Sequence, residues 1–192
     1  MRDSIAADST FYSCCACDIS RKDILFRYLS SYHFYLGDKI AGELPEFLVN
    51  DPDFSRSITE YNFNYFQLIK PFFGRSSRHA TDGEYEAIGI GYMLDVQGRL
   101  RFLILDDRRP YKFVQKHFAG LAVRVTGTIG FVQESCCTDK KILPKHALEF
   151  LDEIKRAVTA DGGKRPCSLT PETCRAILMP AIEYIRNYHA GA

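Results

Sequence analysis

The stretch Arg101-Phe102-Leu103-Ile104-Leu105-Asp106-Asp107 places four consecutive large apolar residues directly before two aspartates. The apolar run has no polar alternation, which is typical of a strand that is buried on both faces. Strands of this kind belong to parallel sheets that are covered by helices on both sides. We therefore expect residues 101–105 to form a central strand, with Asp106 at its carboxyl end.

Short strands and helices alternate on either side of this segment. The pattern predicts an α/β fold, namely a three-layer α/β/α domain with a mainly parallel central sheet of about four or five strands. Residues 1–192 are expected to form a single domain, in which 162–192 are a C-terminal helical extension. Besides 101–105, the predicted strands are 4–7, 33–36 and 122–125, and the predicted helices are 21–29, 38–49, 53–57, 60–73, 83–94, 110–118, 143–160 and a terminal helix from 170.

The composition excludes several classes of protein. The net charge is +1, from 25 basic and 24 acidic residues, so attraction to a polyanion must come from local clusters. No apolar run approaches the roughly 20 residues that cross a bilayer. Asp3 and Asp8 stand where an export signal has a basic start and an apolar run, so we expect a cytoplasmic protein without membrane attachment.

The seven cysteines are expected to be reduced thiols in that compartment. Several are adjacent in sequence, as at Cys14-Cys15 and Cys136-Cys137. Adjacent cysteines do not have the spacing of common zinc sites. Buried apolar positions in helices are the favoured interpretation.

Acidic residues recur where the predicted strands end. Asp8 follows the first strand, Asp106 follows the strand quoted above, and Glu43 and Glu84 lie near the same edge. Ligands gather at the carboxyl ends of parallel strands, and clustered carboxylate oxygens suit hard cations such as Mg²⁺ or Mn²⁺. Such ions can activate water for phosphoryl displacement. Independent helix caps and surface charges explain these four acids equally well.

Six segments also follow one another in a recognisable order. They are Asp-Ser-Thr-Phe at 8–11, Ile-Ala-Gly-Glu-Leu at 40–44, Gly-Glu-Tyr-Glu-Ala-Ile at 83–88, Leu-Ile-Leu-Asp-Asp-Arg-Arg at 103–109, Val-Thr-Gly-Thr-Ile-Gly at 125–130 and Leu-Thr-Pro-Glu at 169–172. This series resembles the motifs of the PIN-domain family of nucleases. The last two segments are similar to the VapC-like toxin ribonuclease branch of that family.

The resemblance implies a function and a set of residues. Asp8, Glu43, Glu84 and Asp106 would be the catalytic, metal-binding carboxylates, with Mg²⁺ or Mn²⁺ as cofactor. The protein would be a metal-dependent endoribonuclease that hydrolyses RNA with metal-activated water. It would be the toxin of a toxin–antitoxin pair, with RNA, an antitoxin protein and a second copy in a homodimer as partners. The alternative is a non-catalytic PIN-like module that binds RNA or protein.

Two of the site assignments have competitors close by in the sequence. Glu86 competes with Glu84, although residues two apart on a helix do not face the same way. Asp107 competes with Asp106, which is preferred because it directly follows the buried run.

Basic residues lie next to the proposed acids. Arg108, Arg109 and Lys112 follow Asp106 and are candidates for phosphate contacts without sequence readout. Arg75 and Arg78 precede Glu84 and are candidates for the same role. A solvated charged surface is an equally good interpretation of both groups.

The aromatic-rich segment 45–82 has no counterpart in the family pattern. Its aromatic residues could stack on nucleobases, but at this density they favour packing in a core. The residues concerned are Tyr61, Phe63, Tyr65 and Phe66.

Overall fold

The structure is a computed structural model that describes residues 3–73, 82–159 and 165–190. Within these residues, five parallel strands form one sheet in the order β3-β2-β1-β4-β5. Helices flank the sheet, so the predicted three-layer α/β/α architecture is confirmed. The strands are β1 (Ser4–Ala7), β2 (His33–Leu36), β3 (Ile58–Glu60), β4 (Leu100–Ile104) and β5 (Val125–Thr126).

The helices connect these strands and extend beyond β5. Two π-helical segments, Cys14–Asp18 and Cys174–Leu178, continue neighbouring helices, and two short 3₁₀ turns lie at Lys70–Phe73 and Pro166–Ser168. The α-helices are α1 (Ser9–Ser13), α2 (Lys22–Leu29), α3 (Asp38–Glu43), α4 (Glu46–Val49), α5 (Pro52–Ser57), α6 (Tyr65–Ile69), α7 (Gly83–Val96), α8 (Arg108–His117), α9 (Ala119–Ala122), α10 (Thr128–Cys137), α11 (Pro144–Thr159), α12 (Pro171–Thr173) and α13 (Met179–Ala190).

Strand β4 is buried on both faces, as its uninterrupted apolar sequence predicts. The ring of Phe102 contacts that of Phe131 in α10, with the ring centroids 5.7 Å apart. Leu103 points the other way, towards Gly91 of α7, where an added Cβ would lie 3.3 Å from its methyl groups. The absence of a side chain at Gly91 therefore allows α7 to approach the sheet closely.

Helices cover the two faces of the sheet. Helix α7 packs on β1 and β4 and also contacts α6, α8 and α9. Helix α10 contacts β4 and β5 and packs with α11 and α13. Among the described residues, every helix is too short or too polar to span a bilayer.

Two element boundaries that the sequence predicted are wrong, and one strand was not predicted. The predicted helix 38–49 is broken into α3 and α4, because Pro45 forces Leu44 into an extended conformation (ψ 152°). The last strand is Val125–Thr126 rather than 122–125, since Ala122 ends helix α9 and the next residue is 79% exposed. The sequence pattern did not predict the short edge strand β3.

The predicted helix 60–73 begins only at Tyr65. Before it, Tyr61 and Phe63 continue a chain of edge-to-face ring contacts that starts at Tyr35 and ends at Tyr65. Tyr65 is buried, and Tyr61, Phe63 and Phe66 pack partly buried against the core. The aromatic residues of this segment therefore contribute to packing, as their density favoured.

The cysteines occupy the helical positions that the sequence favoured. Cys14, Cys15, Cys136 and Cys137 are all buried with free thiols. The C-terminal segment is also anchored in the core, since Leu178, Ile182 and Ile185 are at most 1% exposed.

We predict that Phe131→Ala destabilises the protein by about 3–5 kcal/mol, because it opens a cavity at a fully buried position. Phe131 contacts five other rings, those of Phe11, Tyr28, Tyr32, Phe34 and Phe102. Urea-induced unfolding measures the change. The control is Phe47→Ala, whose ring is 52% exposed, and equal losses in the two variants would contradict this account of the core.

Candidate active site

Asp8 and Asp106 lie side by side at the carboxyl ends of β1 and β4. The backbone N–H of Asp8 donates to the carbonyl of Ile104 at 3.1 Å, which continues the strand pairing to this edge. The backbone N–H of Asp106 in turn donates to Oδ2 of Asp8 at 3.3 Å. Asp8 is fully buried and also caps α1, because its Oδ1 accepts from the N–H of Thr10 at 3.0 Å. The parallel sheet thus brings together two acids that are far apart in sequence.

The start of α10, which directly follows β5, fixes the carboxylate of Asp106. Thr128, the first residue of α10, donates its backbone N–H to Oδ1 at 2.8 Å and its hydroxyl to Oδ2 at 2.6 Å. Gly127 leaves room for this contact, since an added Cβ would lie 3.1 Å from Oδ1. Gly127 and Thr128 therefore hold the carboxylate of Asp106 in place.

Glu43 reaches the same edge from the end of α3. Its Oε2 accepts from the hydroxyl of Ser9 at 2.6 Å, directly beside Asp8. Its Oε1 accepts from the backbone N–H of Gly83 at 2.8 Å, at the start of α7. An added Cβ on Gly83 would stand 2.6 Å from Glu43 Oε2, so the glycine is required for this approach.

Glu84 and Asp107 form the third part of the site. The two carboxyl groups lie close together, and the proximity of Asp107 raises the pKa of Glu84. Asp107 also accepts from the hydroxyl of Ser168 at 2.9 Å. Asp106 and Asp107 consequently both belong to the site, with different partners.

Glu86 has a separate, structural position. Its buried carboxylate accepts from the backbone N–H of Ile40 at 2.8 Å and also from that of Lys39, at the N-terminus of α3. The first turn of a helix leaves such N–H groups without intrahelical partners. Gly37 is necessary here, because any Cβ at that position would overlap the Glu86 carboxylate. Of the two competing glutamates, Glu84 is therefore the one that lies with the acidic cluster.

We call Asp8, Glu43, Glu84, Asp106 and Asp107 the acidic cluster. Within the described ranges, none of these five residues forms an ion pair with Lys or Arg. Burial, together with the charges of Asp106 and Glu84, raises the pKa of Asp8 well above its ordinary value. Burial likewise raises the pKa of Asp106, although the two hydrogen bonds from Thr128 oppose the shift.

Within the cluster, the pKa of Glu84 is raised as well. Burial, followed by the hydrogen bond and the charge of Asp107, raises the Glu84 pKa from 4.5 to about 7. Burial and nearby like charges both disfavour the ionised form of a carboxyl group. Such perturbed groups concentrate at functional sites.

The donor chemistry of the cluster fits a hard divalent cation, because the available ligands are carboxylate oxygens. Asp8 uses each oxygen for a single backbone N–H, and a carboxylate oxygen has a second lone pair to offer. As the side chains stand, no three Asp, Glu, His or Cys residues of the described segments are grouped closely enough to hold an ion.

The basic residues proposed for substrate binding flank the cluster on α8. Arg108, Arg109 and Lys112 are all exposed. Arg109 hydrogen bonds to the side chain of Tyr85, and Arg108 lines a cavity beside Asp106. Arg75 and Arg78 lie outside the described residues.

Two site residues were missed from sequence. Thr128 carried a usable signal, because a hydroxyl residue in a Gly-Thr pair after a strand is well placed to bind a carboxylate at a helix start. Ser168 carried none, since it lies 61 residues from its partner Asp107 and in no recognisable motif.

The fold and the cluster define a general class, an α/β domain with an acidic site at the carboxyl edge of a parallel sheet. Comparisons with family models, with curated proteins and with solved structures gave no match to this chain. The PIN resemblance therefore rests on the ordered motifs alone.

We predict that Glu84→Gln stabilises the metal-free protein at pH 8. A carboxyl group whose pKa is raised by folding contributes stability that is lost as the pH rises from its ordinary 4.5 to about 7. After allowance for solvent screening at this half-buried side chain, we expect about 1 kcal/mol, or roughly 2–4 °C in Tm. Thermal unfolding in EDTA across pH 4–8 measures the difference between variant and wild type.

The matched control for this experiment is Glu183→Gln, at an exposed position on α13, which should leave the pH profile unchanged. A variant Glu84→Gln whose Tm runs parallel to that of wild type over the whole range would contradict the assignment.

We predict the opposite sign for Glu86→Ala. This change leaves the buried N–H group of Ile40 without its acceptor, which costs about 1–3 kcal/mol. Chemical denaturation at pH 7 gives the value. If Glu86→Ala were as stable as wild type, Glu86 would not be the N-terminal acceptor of α3.

Proposed function

We propose that the protein is a metal-dependent endoribonuclease that hydrolyses phosphodiester bonds in RNA. The observation that carries the proposal is the acidic cluster, in which buried Asp8 accepts a hydrogen bond from the backbone of Asp106 and neither acid forms an ion pair with a Lys or Arg of the described residues. Asp8, Glu84 and Asp106 are the residues that would hold Mg²⁺ or Mn²⁺, and Glu43 is placed beside Asp8 through Ser9. The PIN resemblance, which names the same four acids, supports this choice.

When bound, the cation supplies charge neutralisation and an activated water for attack on phosphorus. The residues of the chain do the positioning. Thr128 holds both oxygens of Asp106, and the backbone N–H groups of Thr10 and Asp106 hold those of Asp8. Such fixed donors keep the carboxylates oriented without reorganisation during the reaction.

The finer parts of the proposal rest on the resemblance. RNA is the partner at the acidic cluster, and Arg108, Arg109 and Lys112 contact its phosphates from α8. As a toxin of the VapC-like branch, the protein would form a homodimer in the cytoplasm. An antitoxin protein would be its second partner.

We predict that Asp8→Asn and Asp106→Asn each reduce RNA cleavage at least about 100-fold, equivalent to about 2.7 kcal/mol of transition-state stabilisation. The assay uses end-labelled single-stranded and structured RNAs with Mn²⁺ or Mg²⁺, and EDTA should abolish cleavage. Because folding already disfavours the ionised form of both aspartates, both variants should fold, which circular dichroism and Tm verify.

The matched control is Asp53→Asn on α5, whose side chain is 71% exposed and pairs with Arg56 rather than with the cluster. Cleavage that persists unchanged in EDTA, or in the double variant of Asp8 and Asp106, would overturn the proposal. RNA binding without cleavage on any substrate would replace it with a non-catalytic RNA-binding module.

A further inference from the structure

A cavity of about 540 Å³ opens directly beside the acidic cluster. Asp106 and Asp107 form one edge of it, and its other walls come from α8, the start of α10 and the C-terminal residues 167–177. This volume lies within the range of small-molecule sites, about 300–1,000 Å³. The cavity therefore has room for a chemical group of the substrate next to the proposed reaction centre. The proposed metal site does not occupy this space.

The lining of this cavity is mostly apolar. Leu105, Ile129 and Leu169 contribute aliphatic surface to it. Tyr111 and Ile177 also line it and remain 37% and 50% exposed, respectively. An aromatic ring and aliphatic groups left open to solvent are suited to a flat, weakly polar ligand that stacks on the ring.

Polar groups are confined to parts of the wall. The exposed Arg108 lies next to Asp107 in the sequence and can meet an anion. The hydroxyl of Ser168 donates to Asp107, which leaves its oxygen free to accept a hydrogen bond. An apolar pocket with a few polar groups and an adjacent arginine matches a planar heterocycle joined to a phosphate.

The wall supplied by the C-terminal segment is held in place. Cys167 and Ser168 both have positive φ (54° and 56°), a conformation that residues other than glycine rarely adopt. Cys167 is buried with its Sγ 3.0 Å from that of Cys14, and Ser168 is tied to Asp107. Strained backbone that is retained under such contacts is a feature of ligand sites.

We propose that this cavity binds a nucleobase of the RNA strand, namely the base of a nucleotide next to the phosphate that lies at the acidic cluster. The proposal rests on the proposed ribonuclease function and adds the recognition of one base by stacking on Tyr111. Stacking on an aromatic ring tolerates any base, so the site favours an unpaired nucleotide without selecting a sequence.

The absence of tryptophan from the chain permits a direct test. Tyr111→Trp places the single indole of the protein in the cavity, and stacking of a base should quench its fluorescence. The probes are the four nucleoside 5′-monophosphates and ribose 5-phosphate, added with Mg²⁺. We expect saturable quenching by the nucleotides and none by ribose 5-phosphate. Tyr184→Trp, at a side chain that is 53% exposed on α13, is the matched control and should show no saturable quenching.

A second arm separates a base within a strand from a free nucleotide. A short single-stranded RNA is titrated into the protein. The titration is repeated with a series of RNAs of the same sequence, each of which carries one abasic residue at a different position. We expect one abasic position to weaken binding about tenfold, and Tyr111→Ala to weaken binding of the intact RNA by about the same factor. Binding of free nucleotides with no response to RNA would overturn the assignment to a strand.

The outcomes also distinguish this proposal from the ribonuclease proposal. Quenching by RNA without metal-dependent cleavage would support the base site and contradict the ribonuclease proposal. Cleavage that depends on Asp8 but is unaffected by Tyr111→Ala and by abasic residues would support the ribonuclease proposal and contradict the base site. Equal quenching by ribose 5-phosphate and by nucleotides would show an anion site, and would likewise overturn the base site.

Discussion

The organisation of this protein depends on carboxylates that lie together at one edge of a parallel sheet, where they form no ion pair with a Lys or Arg in the part of the chain that the structure describes. Parallel strands end at the same edge, so residues that follow different strands are brought together there. Asp8 and Asp106 follow neighbouring strands β1 and β4, and their burial raises the pKa of both. The charge that folding concentrates here is unfavourable by itself, and this is the physical reason to expect that an added cation acts at this edge.

Glycines make this concentration of acids sterically feasible. Gly37, Gly83 and Gly127 each precede or begin a helix at the carboxyl edge, and each lies against a carboxylate. The carboxylates concerned are those of Glu86, Glu43 and Asp106, respectively. Helix N-termini offer free N–H groups to anions, and the missing Cβ allows the side chain to reach them. The same device serves a structural acid, Glu86, and two acids of the cluster.

The fold was largely predictable because its determinants are local. The unbroken apolar run before Asp106 indicates a strand buried on both faces, and Phe102 and Leu103 indeed face α10 and α7. Boundaries were wrong where a single local effect outweighs periodicity, as at Pro45. Strand β3 escaped prediction because Ile58-Thr59-Glu60 is short and lies at the edge of the sheet, where half of the pattern is exposed.

The sequence by itself determined the mainly parallel sheet and the placement of Asp8 and Asp106 at strand ends, because the burial of these strands follows from their hydrophobic pattern. Only the tertiary structure separated Glu84 from Glu86. The two lie in the first turn of one helix, and their directions depend on how α7 is rotated against the sheet and α3. Only the tertiary structure also brought Ser168 and the cavity beside Tyr111 to the acidic cluster, since these contacts join segments far apart in the chain that no local pattern relates.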